Sequence, residues 1–111
     1  MEKNVEISIL IDFYGSLLTD TQRVAIREHY DEDQSFSEIG ERMGKSRQAV
    51  HDAVTKGVSA IYDYEVKLGI MKRYLAFDKK MNDLQELVDD DKQIVKTHLQ
   101  KNIDDLEKLW E

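Results

Sequence analysis

The side chains best suited to recognition chemistry are grouped in one short stretch near the middle of the chain, namely Ser46, Arg47, Gln48 and His51. Arginine can donate two hydrogen bonds to guanine, glutamine can pair with adenine, and serine can bond a base edge or a phosphate. The cations that flank this stretch are Arg42, Lys45 and Lys56. Because their charges suit phosphate groups, we predict that these seven residues form a nucleic-acid contact surface.

Two short helices with capping signals would hold these residues. Ser35 begins a capping box that Glu38 completes, and Gly44 can end that helix in the left-handed conformation. Ser46 then stands at the N-cap of the next helix. Gly40 supplies a small residue where the two helices would approach closely. This spacing predicts a helix-turn-helix, whose second helix would enter the major groove of DNA by its N-terminal residues.

Acidic residues reduce the charge available to this surface. Residues 19–56 contain six Lys or Arg against eight Asp or Glu, a net charge of −2, and Asp52 lies among the predicted contacts. The whole chain carries a net charge of −7. Because Lys and Arg supply most of the affinity for nucleic acid, any such contact has to come from the local cluster at residues 42–47.

The apolar spacing before this motif predicts two more helices. A buried stripe is expected in the first helix at residues spaced by four, namely Val5, Ile9, Phe13 and Leu17, with Leu10 and Tyr14 alongside. A capping box formed by Thr19 and Gln22 predicts a second helix over about residues 20–30.

Beyond residue 57 the apolar spacing predicts one long helix or a broken pair, followed by a last helix. The acidic run at 89–91 favours the N-terminus of that last helix. Its expected stripe is Val95, Leu99, Ile103, Leu106 and Trp110. We therefore predict an all-α chain with a helix-turn-helix domain at 1–57 and a C-terminal helical extension at 58–111. Because a long apolar stripe must be buried against something, the extension is expected to form a homodimer or to bind a partner.

Composition narrows the class of protein. The 111 residues include no proline, which fits uninterrupted helices, and no cysteine, which removes disulfides and thiolate metal ligands. No segment approaches the roughly 20 apolar residues of a membrane span, so we expect no membrane insertion and a cytoplasmic location.

The residues that could serve a cofactor or a catalytic reaction are scattered. The acidic residues Asp31 and Asp33 resemble the start of a calcium loop, but Phe36 and Arg42 stand where such a loop needs glycine and glutamate. The three histidines lack the spacing of a zinc site, and the five glycines form no phosphate-binding loop. We expect no cofactor, no metal and no enzymatic activity.

Several segments resemble the YlxM-like family of bacterial proteins, whose helix-turn-helix is similar to region four of sigma factors. The segments are Leu-Leu-Thr at 17–19, Gln22, Ser-Phe-Ser-Glu-Ile at 35–39, Ser-Arg-Gln-Ala-Val at 46–50 and Tyr-Glu-Val-Lys-Leu-Gly at 64–69. The resemblance covers roughly residues 5–75 and implies a sigma-region-four-like bundle. The helix-turn-helix domain at 1–57 would belong to this sigma-region-four-like or winged-helix-like class. Gly40 and Lys45 depart from the pattern, which more often has alanine and an aliphatic residue there.

This resemblance also implies a biological setting. Genes of the family commonly lie beside those of the signal recognition particle GTPases Ffh and FtsY, which implies a regulatory or accessory role in co-translational targeting. Two functions follow for the chain. It would be a DNA-binding regulator linked to that pathway, or an adaptor that contacts signal recognition particle RNA or the GTPases without binding DNA.

Overall fold

Helices make up nearly all of the computed structural model, which describes residues 1–89 and 96–110. Within these residues the helices are α1 (Lys3–Tyr14), α2 (Asp20–Tyr30), α3 (Phe36–Met43), α4 (Arg47–Leu68), α5 (Ile70–Asp89) and α6 (Lys96–Lys108). A short 3-10 turn, Gly15–Leu17, follows α1, and the described chain contains no strand. The prediction of an all-α helix-turn-helix bundle is confirmed.

The beginnings of α2 and α3 are held by the two predicted capping boxes. The Oγ1 atom of Thr19 accepts a hydrogen bond from the Gln22 amide at 3.2 Å, and the Gln22 side chain accepts one from the Thr19 amide at 3.1 Å. Ser35 and Glu38 make the same reciprocal pair at 3.1 and 3.2 Å. The backbone N–H of Ser35 lowers the pKa of the Glu38 carboxyl, because it donates to the charged form. The start of each helix is therefore fixed by its own side chains.

The buried face of α1 is not the predicted one. The residues of α1 that are buried are Ile7, Leu10, Ile11 and Tyr14. Val5 is exposed, and Leu17 lies in the 3-10 turn, where it is also exposed. The stripe predicted at Val5, Ile9, Phe13 and Leu17 is therefore wrong, although Leu10 and Tyr14, expected beside it, are buried. Apolar residues occur on several sides of α1, so more than one stripe fits the spacing, and packing against α2 and α4 selects one of them.

The helix α4 packs against α1, α2 and α3 and carries the centre of the core. Its buried residues are Val50, Val54, Gly57 and Ile61. At Gly57 the backbone of α4 lies so close to α2 that an added Cβ would be 2.6 Å from Cδ1 of Ile26 and 3.2 Å from Cβ of Gln22. A glycine is therefore what lets these two helices touch here.

Polar and aromatic contacts also connect α4 to α1. The hydroxyl of Tyr14 donates to Oε1 of Glu65 at 2.7 Å, and the rings of Tyr14 and Tyr64 lie 5.8 Å apart. Burial raises the pKa of Tyr62 to about 12, and a hydrogen bond to Glu6 adds to the shift. These contacts fix the middle of α4 relative to the first helix.

The chain divides into two units, Met1–Gly69 and Ile70–Glu111. The boundary expected after residue 57 falls inside α4, because Gly57 is a packing glycine within a continuous helix. Gly69 has φ +64°, a left-handed conformation, and its amide donates to the Glu65 carbonyl at 2.8 Å, which ends α4. The long helix or broken pair predicted beyond residue 57 is thus a pair broken at Gly69.

The second unit consists of α5 and α6. An ion pair joins the two helices, with Nζ of Lys80 2.9 Å from Oδ2 of Asp105, and it lowers the pKa of that carboxyl. The helix α6 carries the expected residues Leu99, Ile103 and Leu106, whereas Val95 lies outside the described residues. Trp110, also expected on this stripe, follows the end of α6 and is exposed. Of the acidic run expected to begin the last helix, Asp89 is the final residue of α5, and the positions 90 and 91 lie outside the described residues.

Candidate nucleic-acid interface

The turn between α3 and α4 approaches the backbone of α3 closely. A Cβ added at Gly40 would lie 2.5 Å from the carbonyl oxygen of Lys45, and the Lys45 amide donates to the Gly40 carbonyl at 2.9 Å. Gly44 has φ +66°, the left-handed conformation that glycine adopts without cost. The glycine at position 40, where related motifs more often have alanine, is thus matched to a turn that sits directly on it.

The N-terminus of α4 is capped and points its first residues to solvent. The Oγ atom of Ser46 accepts a hydrogen bond from the Ala49 amide at 3.0 Å, as predicted for an N-cap. Ser46, Arg47 and Gln48 are exposed, whereas Val50 is fully buried and anchors the same turn to the core. The first turn of α4 contains no acidic residue, so the positive end of the helix dipole is not neutralised there.

Arg47 rests on the aromatic ring of Phe36. Its guanidinium carbon lies 6.0 Å from the centre of that ring. The same ring meets His51 edge-on at 5.4 Å and stacks on His29 at 4.4 Å. The cation therefore lies over the first residue of α3. Phe36 and His29 therefore pack beneath the predicted contact residues Arg47 and His51. The sequence did not predict this packing, because the rings belong to three different helices.

Asp52 interacts with two of the predicted contact residues, Gln48 and His51. The Nε2 atom of Gln48 donates to Oδ1 of Asp52 at 2.9 Å, and Nδ1 of His51 lies 3.5 Å from the same oxygen. This carboxylate therefore competes with an adenine for the Gln48 amide, of whose two N–H donors it uses one. Thr55 and Ser59 are also exposed and follow Asp52 at helical spacing, so they extend the same polar face of α4.

Arg42 and the two lysines differ in how they are held. The guanidinium of Arg42 forms an ion pair with Glu28 of α2 and donates to Oε1 of Gln34 at 2.9 Å. Lys45 and Lys56 are exposed, and neither has an ion-pair partner within residues 1–89 and 96–110. The structure therefore brings Lys45, Arg47, Gln48 and His51 together around the N-terminus of α4. Lys56 lies more than two helical turns further along α4, and Arg42 is paired with Glu28 and Gln34 of the same chain.

A cation site is not found in the described chain. No group of three or more His, Cys, Asp or Glu side chains converges there, and this includes the acidic loop that holds Asp31 and Asp33. Asp33 has a positive φ of 55°, a conformation that aspartate tolerates in turns. Among the described helices, none combines the length and hydrophobicity needed to cross a membrane.

The capped pair α3 and α4, joined by the glycine turn and packed on α2, makes this chain a helix-turn-helix protein. Comparison with protein families gives the same class: the UPF0122 family, described as "Putative helix-turn-helix protein, YlxM / p13 like", matches residues 1–106. The chain belongs to this family, and the resemblance noted from its motifs is confirmed.

Bacterial relatives cover most of the chain. A UPF0122 protein of Fusobacterium nucleatum is 37% identical over 106 residues, which are 96% of this chain and 97% of the relative. A UPF0122 protein of Clostridium botulinum is 43% identical over 88 residues, covering 78% and 81% of the two chains. One of Symbiobacterium thermophilum is 41% identical over 83 residues, covering 75% and 78%. The similarity therefore extends well beyond the helix-turn-helix.

Proposed function

We propose that this protein is a DNA-binding regulator that inserts the N-terminus of α4 into the major groove, with α3 lying across the groove. The observation that carries the proposal is Arg47, which is held over Phe36 at the exposed, acid-free start of α4. An arginine fixed in this way loses less conformational entropy when its two donors bind guanine.

The neighbouring side chains would share the remaining contacts. Lys45 stands beside Arg47 and would meet a phosphate. Ser46 uses its oxygen as an acceptor within the helix cap, so its O–H remains able to donate to a phosphate or base. Gln48 would read a base by leaving Asp52, which makes its contribution smaller than that of Arg47.

The biological setting that we propose is the signal recognition particle pathway in the cytoplasm. The support for it is the resemblance to the YlxM-like family, whose genes neighbour those of Ffh and FtsY. In this setting the protein acts by binding and any GTP hydrolysis belongs to a partner, because the sequence has no glycine-rich phosphate-binding loop of its own.

A second candidate is an adaptor that binds signal recognition particle RNA, Ffh or FtsY in place of DNA. The net charge of −7 favours this alternative, since an acidic chain is repelled by long duplex DNA but can dock on the basic surface of an RNA-binding partner. The contact of Gln48 with Asp52 also favours it, because Asp52 already uses one of the two donors of the Gln48 amide and places a negative charge beside it.

Direct binding separates the two functions. The purified protein would be titrated by fluorescence anisotropy against genomic duplex fragments, signal recognition particle RNA and labelled Ffh. The double variant Arg47→Ala/Gln48→Ala should weaken DNA binding at least about tenfold, because a bidentate base contact is worth about 1–3 kcal/mol. The control is Lys67→Ala, which removes a cation from the last turn of the same helix.

Each result of this titration has a definite meaning. Loss of DNA binding in the double variant, with the control unchanged, supports the regulator. Binding of RNA or Ffh without DNA binding supports the adaptor. If DNA binding is strong and the double variant keeps all of it, the assignment of α4 as the reading helix is wrong.

A further inference from the structure

The helix α5 carries an apolar pattern of its own. Its members follow one another at spacings of four, three, four, three and four, and they are Ile70, Tyr74, Phe77, Met81, Leu84 and Val88. We call these six residues the α5 seam. Alternating spacings of three and four are typical of the core of a coiled coil, in which one helix lies along another.

The side of α5 that faces α6 is a different one. Lys80 pairs with Asp105, and Asp83 and Leu87 line a groove with His98 of α6. These α5 residues lie beside the seam and not on it, because they fall between its members at helical spacing. Packing of α6 against α5 therefore leaves the seam itself on the surface of the hairpin.

The exposure of the seam is large for side chains of this kind. Phe77 is 37% exposed, Met81 44% and Val88 63%, and no residue of α5 is buried. A pair of helices is too small to enclose an apolar core of its own. The seam thus has the composition of a helix interface and the exposure of a surface.

Charge along α5 indicates which way a covering helix would run. Residues 70–80 contain four Lys or Arg and one Asp, a net charge of +3, whereas residues 81–89 contain three acidic residues and no basic one, a net charge of −3. This order opposes the helix dipole, which favours acidic residues near the N-terminus and basic ones near the C-terminus. A second α5 running antiparallel would place each basic half against an acidic half, whereas a parallel one would place like charges together.

The spacing of the seam is also symmetric about its centre. When two α5 helices run antiparallel, Phe77 of one meets Met81 of the other and Tyr74 meets Leu84, because each pair is equally distant from the midpoint. The same contacts occur twice, as a two-fold interface requires. Lys80, which would lie near the two-fold axis, already has Asp105 as its counter-charge within each chain.

We propose that a second copy of this chain covers the α5 seam, and that the two α5 helices pack antiparallel about a two-fold axis. This homodimer does not depend on which ligand the helix-turn-helix binds. The apolar seam supplies the attraction, and the opposed charges select the antiparallel orientation over the parallel one.

The molecular mass of the full chain in solution tests the dimer. Sedimentation equilibrium should give twice the 13.0 kDa chain mass for the natural protein. Met81→Glu should raise the dimer dissociation constant by about 100-fold or more, because the charge would be buried without a partner. The matched control, Asn82→Glu, adds the same charge at the next residue, off the seam, and should remain a dimer. A natural protein of one chain mass would overturn the proposal and leave the seam to another partner.

Cysteine cross-linking tests the orientation with milder changes. The natural chain has no cysteine, so Phe77→Cys and Met81→Cys provide single thiols. When the two variants are mixed and oxidised, the mixed disulfide should form in preference to either self-disulfide, because position 77 meets position 81 of the partner. Mass spectrometry distinguishes the products. Dominant self-disulfides would show a parallel pair and contradict the proposed arrangement.

Discussion

The side chain of Arg42 connects three parts of the helix-turn-helix. It extends from α3, forms an ion pair with Glu28 on α2, and donates to Gln34 in the loop between them. The Glu28 side chain is only 22% exposed, so this pair is better shielded from water than an ordinary surface ion pair. Arg42 therefore fixes the position of α3 even when no ligand is bound.

Replacement of Arg42 should lower the stability of the protein, whereas replacement of Lys45 should weaken nucleic-acid binding. Arg42→Ala should lower the free energy of unfolding by about 1 kcal/mol, since it removes a partly shielded ion pair and a hydrogen bond. Lys45→Ala should leave stability unchanged and weaken nucleic-acid binding, because its exposed ammonium has no ion-pair partner among the described residues. Urea unfolding and anisotropy titration of both variants check this. Equal stability of the two variants would contradict the structural part given to Arg42.

Individual contact residues were only partly predictable. The residue types at Arg47 and Gln48 indicate base recognition, and their exposure is what an N-terminal helical turn provides. The partner of Arg42 could not be predicted, because Glu28 lies 14 residues earlier on another helix. The contact between Gln48 and Asp52 spans four residues of one helix, so its spacing was visible in the sequence.

Close helix contacts occur at two glycines that differ in what they touch. Gly40 faces the backbone carbonyl of Lys45, which cannot move without opening the turn. Gly57 faces the end of the Ile26 side chain, which can change its rotamer. The same added methyl group therefore meets a fixed obstacle at one position and an adjustable one at the other.

Alanine at the two positions should accordingly have unequal effects. Overpacking costs about 1–3 kcal/mol and the gain in helix propensity is about 1 kcal/mol, so Gly40→Ala should lower the free energy of unfolding by up to about 2 kcal/mol. Gly57→Ala should stay within about 1 kcal/mol of the natural protein, since Ile26 can yield. Chemical denaturation of the pair measures the difference. A larger loss at Gly57 would mean that the core around Ile26 is rigid.

Capping signals made α2, α3 and the start of α4 predictable, because each begins with a side chain that bonds its own backbone. The buried face of α1 was not predictable in this way. Its apolar residues fit several stripes, and the choice depends on the shape that α2 and α4 present. The close approach at Gly57 was missed for the same reason, since it depends on a residue of another helix.

The molecule as a whole combines an acidic chain with a small cationic surface. The net charge of −7 should keep non-specific DNA binding weak, while Lys45 and Arg47 stand together at the start of α4. The sequence indicated this contrast and the helix-turn-helix, but not that the chain divides at Gly69. Both Gly57 and Gly69 lie in helical surroundings, and only the left-handed backbone of Gly69 ends a helix.

The ion pair of Arg42 with Glu28 has a consequence for counterions. A duplex releases condensed cations for each phosphate that a protein neutralises, and the logarithm of the binding constant falls against the logarithm of salt concentration with a slope of about −0.9 per contact. If Lys45 and Lys56 make the phosphate contacts, Arg47 binds a base and Arg42 stays with Glu28, the slope should be about −1.8 per chain. A slope of about −2.7 would show that Arg42 exchanges Glu28 for the nucleic acid when it binds. One salt titration thus reports whether an internal ion pair opens on the DNA.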